Sequence, residues 1–128
     1  MSERNLDRLC AEYGYQIANE VHKAIGKSAE NHITKSLGVL QEDGVYAFLL
    51  YQTSRGKTEK PGADRLKEQA TALLKETEIK PFDTITDSLE AVRAKDGLAN
   101  NLDELLLAKR LLEQTLIYAR YHAKVLEG

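Results

Sequence analysis

The side chains of this chain most suited to chemistry are three histidines, one cysteine and a dense set of carboxylates and cations. His22, His32 and His122 are far apart, and none stands beside another His or Cys at the spacing that holds zinc. No metal site is expected. Cys10 falls among apolar residues at helical spacing, where a thiol acts as a small hydrophobe unless a nearby cation activates it. Gly56 and Gly62 flank a basic stretch but lack the GxxxxGK(S/T) or GxGxxG spacing that wraps backbone amides around nucleotide phosphates. Asp103 with Glu104, and Glu12 with Glu20, read as solvated helix surface, so no acid/base couple emerges. Neither a catalytic centre, a cofactor nor a small-molecule substrate is expected.

Basic residues are the more informative set. Between Arg55 and Lys67 five cations (Arg55, Lys57, Lys60, Arg65, Lys67) meet two acids (Glu59, Asp64), a local balance of +3. Such a segment suits a phosphate backbone, because Lys and Arg gain affinity by releasing counterions whatever the base sequence. Solvation alone is the bland alternative for a charge run. Tyr46 and Tyr51 lie close enough in sequence to stack on bases, although tyrosines in helical bundles more often serve as core and rim residues.

These groups must be positioned by helices. Leu6, Leu9, Cys10, Tyr13, Ile17, Val21, Ala24 and Ile25 repeat at three and four, which predicts a helix over 4–26. Ser28 is a candidate cap for a second over 29–42, carrying Ile33, Leu37 and Leu40, and Gly44 is placed to end it. The run from Val45 to Tyr51 is apolar on all sides and rivals a strand by composition. With no second strand-like run to satisfy its backbone, a buried helix over 45–54 is preferred. Polar residues with Gly56, Pro61 and Gly62 make the main loop, and a helix over 62–77 follows, with Pro81 forbidding continuation. Asp87 caps a short helix over 84–95 that Asp96 and Gly97 close. Asn101 and Glu104 form a capping box opening the longest helix, which runs to Glu127.

Projected at about 100° per residue, that last helix shows two apolar stripes. One holds Leu105, Leu112, Leu116, Ala119, Ala123 and Leu126, the other Leu107, Leu111, Tyr118 and Val125, so two faces are expected to be buried. Its one polar sector carries Lys109, Arg110, Glu113, Arg120 and Lys124, which suits an anion.

Size and composition set the frame. At 128 residues the chain is one domain long, and 42% hydrophobic with 30% charged residues is the balance of an ordinary soluble globule. The net charge of −2 argues against binding nucleic acid by bulk charge and restricts any such site to a local patch. A single cysteine allows no internal disulfide, and with a polar start a cytoplasmic location is expected. No apolar run approaches the ~20 residues that span a bilayer. The expected architecture is a single all-α domain over 1–128, a compact bundle of about five to six helices without internal repeats.

The stretch Ile33 to Arg55, ITKSLGVLQEDGVYAFLLYQTSR, resembles the signature of the small-subunit family of the Cmr-type (type III-B) CRISPR effector complex. In that family a basic residue leads through Leu and apolar positions to a Gly, then an apolar helix ends on a base. Lys35, Leu37, Leu40, Gly44, Phe48, Leu49 and Arg55 match. In the carboxyl-terminal helix Leu116, Tyr118, Arg120 and Ala123 stand where the family tends to have Leu, an aromatic, a base and Ala. Gly38 replaces a frequent proline and Tyr118 a frequent tryptophan. The resemblance implies an all-α, non-catalytic subunit that stacks in copies of itself beside other effector subunits, near guide and target RNA. On that basis Lys35, Arg55, Lys57, Lys60, Arg110 and Arg120 are the expected backbone contacts. The rival expectation is a helical adaptor that binds only protein, through the second apolar stripe of the last helix.

Overall fold

A computed structural model describes residues 5–80, 82, 87–94 and 97–127. Among these the chain is all-α, with no strand. The helices are α1 (Leu6–Ile25), α2 (Ala29–Asp43), α3 (Val45–Thr53), α4 (Lys60–Glu76), α5 (Ser88–Arg93) and α6 (Leu102–Glu127). Short 3-10 turns, Gly26–Ser28 and Leu98–Asn100, lead into α2 and α6. No helix is long and apolar enough to cross a membrane among the described residues.

Helix ends follow local chemistry. Asn5 accepts the Arg8 N–H at 3.0 Å, Asp87 accepts those of Leu89 and Glu90 at 3.0 and 3.3 Å, and Asn101 accepts that of Glu104 at 3.1 Å. Each satisfies amides that a helix start leaves unpaired. Gly44 sits at φ 95°, where its N–H reaches the Leu40 carbonyl while its own carbonyl receives the Phe48 N–H, so one residue ends α2 and opens α3. A side chain would strain that conformation.

Two expectations are corrected. The Ser28 side chain makes no capping bond, because the 3-10 turn already delivers the backbone into α2. Helix α4 starts earlier than 62, with Pro61 inside its first turn. Its end at Glu76 agrees with the expected 77, before Pro81, itself outside the described residues. Glu78 turns left-handed at φ 63°, with its N–H on the Lys75 carbonyl and the Ile79 N–H on Leu74, which closes the helix without proline. Of the helix expected over 84–95, residues 84–86 and 95 lie outside the described set, as do Arg4 and Asp96.

The core joins residues from all six helices, with Ile17, Ile33, Leu40, Phe48, Leu49, Leu66, Leu73, Leu112 and Leu116 fully buried. Helix α1 is central, packing on α6 and α4. Gly14 makes the α1–α6 approach possible: a Cβ there would stand 2.7 Å from the Tyr118 Cβ and 2.8 Å from the Thr115 carbonyl oxygen. Tyr118 hydroxyl donates to Asp7 at 2.7 Å and Tyr13 hydroxyl to Glu76 at 2.6 Å, tying α1 to both neighbours. Cys10 is buried, its thiol directed at the Leu111 carbonyl, and burial pushes its pKa up, away from nucleophile chemistry.

The double-stripe expectation for α6 needs revision. Leu112, Leu116, Ala119 and Ala123 are buried as expected, but of the second stripe Leu111 alone is fully covered, while Leu107 and Val125 are exposed, as is Leu126 of the first. Helices α1 and α2 cover only part of the circumference of α6, and its outer surface has no neighbour among the described residues.

Candidate nucleic-acid interface

The Gly44 turn folds α3 back on α2, so Lys35 near the middle of one helix and Arg55 just beyond the other approach the same tyrosine. Lys35 is exposed and lines a shallow recess with Gly38, Val39, Glu42, Asp43 and Tyr51. The Arg55 guanidinium carbon lies 3.8 Å from the centroid of the Tyr51 ring, and its Nε donates to the Tyr51 carbonyl at 3.1 Å. Cation–π attraction and that bond hold Arg55 in place with only part of its side chain in water. Below, the buried His32 ring stacks on Tyr51 at 6.0 Å and 17°. With His32 and Arg55 both on its ring, Tyr51 acts as a platform for the cation and not as a free surface for a base.

A polar network underlies the platform. His32 Nε2 and Gln52 Oε1 lie 2.8 Å apart, and Gln52 Nε2 donates to Ser36 Oγ at 2.8 Å, all three residues being buried. For His32 to donate, its proton must sit on Nε2, leaving Nδ1 as an acceptor; Nδ1 has no partner among the described residues. Burial lowers the His32 pKa below its ordinary 6.5, against the opposing effects of the Gln52 bond and Glu59. Sequence reading missed this network. Its signal was His32 and Ser36 one turn apart on the same face as Ile33, Leu37 and Leu40.

The loop after α3 continues the basic surface but offsets part of its own charge. Arg55 pairs with Glu59 at 3.6 Å, Lys60 with Asp64 at 3.5 Å and Arg65 with Glu68 at 3.7 Å, while Lys67 donates to Thr53 Oγ1 at 2.9 Å. Lys57 is exposed, with no ion-pair partner among the described residues. The exposed pairs Lys60–Asp64 and Arg65–Glu68 are worth about 0–1 kcal/mol, so an incoming phosphate competes with them readily, whereas Arg55–Glu59 is half-buried.

Arg110 and Arg120 belong elsewhere. Arg110 is exposed on α6, beside Leu6, Asp7, Leu107 and Gln114. Arg120 is half-buried, its guanidinium carbon 5.3 Å from the Tyr121 ring centroid and its Nε enclosed without a partner among the described residues. Helix α6 meets α2 through Lys124 to Glu30 at 3.7 Å and Lys109 to the Gln41 carbonyl at 3.4 Å. Lys35 lies about 140° around α2 from Glu30. The six expected contacts therefore divide into Lys35 and Arg55 around Tyr51, Lys57 and Lys60 in the following loop and at the start of α4, and two arginines on α6. Among the described residues no cluster of three or more His, Cys, Asp or Glu side chains is arranged to hold a metal ion.

No family model matches this chain, and neither the curated proteins nor the solved structures contain a match to it.

Proposed function

We propose that this chain is a non-catalytic small subunit of a type III CRISPR ribonucleoprotein complex that contacts the guide or target RNA through its backbone. The observation that carries the reading is the placement of Lys35 and Arg55, the two bases bracketing the family-like motif, around Tyr51 on one exposed face. The apolar residues of the same motif, Leu37, Leu40, Phe48 and Leu49, go into the core. The motif thus divides into a part that builds the α2–α3 hairpin and a part that offers charge. Single-stranded or guide-paired RNA presents a line of phosphates, and cations on the α2–α3 hairpin and in the loop after it suit such a line without reading bases. On binding, Arg55 and Lys60 exchange Glu59 and Asp64 for phosphate oxygens, and Lys57 adds a contact that breaks no pair.

The test is to replace Arg55, Lys57 and Lys60 together by Ala and measure RNA affinity against salt in the assembled complex. Three lost contacts lower the slope of log affinity against log salt by about 2. An unchanged slope removes this loop from the interface.

A second reading, a helical adaptor that binds only protein, is favoured by the exposed Leu106, Tyr121 and Val125 on α6. Complexes isolated from the native host without RNA, together with no effect of charge removal at the loop, would select it.

A further inference from the structure

The outer surface of α6 carries a pattern that is complementary to itself. In order along the outer side of α6 are Asp103, Leu106, Arg110, Gln114, Ile117, Tyr121 and Lys124, of which Arg110 and Gln114 border α1, Ile117 is half-buried against the core and Lys124 reaches Glu30 of α2. Leu106 is 51% exposed and Tyr121 57%, with Leu107 at 37% and Val125 at 78% beside them. This apolar surface extends over about 28 Å of helix. Its charges are ordered, acid at the amino end and base at the carboxyl end. Lys124, although 3.7 Å from Glu30, keeps 54% of its side chain exposed at the edge of the stripe.

The geometry points to a second copy of this chain as the occupant, with α6 packed antiparallel on α6 about a two-fold axis between Glu113 and Gln114. In that register Asp103 opposes the other copy's Lys124, Leu106 opposes Tyr121, and the aliphatic stem of Arg110 lies along Ile117. Leu106 and Tyr121 meet each other and each charged end meets its opposite, twice over by symmetry. A parallel pairing would instead set Asp103 on Asp103 and Arg110 on Arg110, so charge selects the antiparallel one. Opposed helix dipoles favour the same choice. A two-fold contact is closed and cannot propagate a filament. The pair is therefore a state of the free protein and goes beyond the RNA reading, leaving the Lys35–Arg55 face on the far side of α2 uncovered.

Sedimentation equilibrium of the RNA-free full chain is the test, so that success or failure of the RNA reading does not affect it. A concentration-dependent dimer is expected, abolished by L106E with Y121E at unchanged helical circular dichroism. D103K weakens the dimer about fivefold through its two symmetric contacts, and adding K124E restores it. Mild oxidation of Q114C yields a disulfide-linked pair, whereas E68C, on α4, does not. A chain that stays monomeric, a dimer indifferent to L106E with Y121E, or one that D103K leaves unchanged overturns the proposal.

Discussion

At His32 a buried ring meets the cost of carrying charge. Its folded pKa lies below the ordinary 6.5, so the unfolded chain binds the proton first as pH falls. The neutral ring's contribution is complete above 6.5 and is lost as pH falls from there through the lowered folded value. Stability measured by urea denaturation should therefore decline on the acid side of 6.5, and H32Q should flatten that decline. Gln52 joins His32 and Ser36, so Q52A strands two buried polar groups and should cost about 2–3 kcal/mol at neutral pH, against well under 1 kcal/mol for Q41A at the surface. The candidate site was partly legible at this scale. Lys35 is expected only from the family resemblance and Arg55 also from the basic run, and the pairs Arg55–Glu59 and Lys60–Asp64 follow a four-residue spacing. The stacking of Arg55 on Tyr51 has the same four-residue spacing, but that His32 occupies the ring as well was not legible, because it needs α2 and α3 brought together.

Between elements, the α1–α6 contact depends on a missing side chain. G14A should destabilise the fold by about 1–3 kcal/mol, since the added methyl meets Tyr118 Cβ and a backbone carbonyl that cannot rotate away. The end of α4 predicts the opposite sign. Glu78 holds a left-handed conformation that an L side chain resists, and E78G should raise stability by about 0.5–1 kcal/mol. Thermal unfolding of both variants checks the pair. Most helix spans were readable because periodicity, Gly44, Asp87 and Asn101 act within a turn of chain. The close of α4 near 77 was readable, with Pro81 as its limit, whereas the left-handed Glu78 that makes the turn was not.

For the whole molecule, the six candidate cations divide between the segment from α2 to the start of α4 and α6. If both faces touch RNA they do so at separate phosphates, and the loss from R110A with R120A should add to that from R55A, K57A and K60A in log affinity. A strongly non-additive combination, measured at one salt concentration, would mean that the two groups share a contact. The net charge of −2 makes any such binding local, so raising salt should weaken it steeply without changing the fold.

By itself the sequence determined the helical class, nearly every helix and the burial of Cys10, since these depend on residues within a few positions of one another. Tertiary structure alone decided which side of α6 is covered, why position 14 must be glycine, and that His32, Gln52 and Ser36 meet. Each of those depends on how closely elements distant in sequence approach, and hydrophobic periodicity states that a face is to be buried without saying how much of it a neighbour will reach.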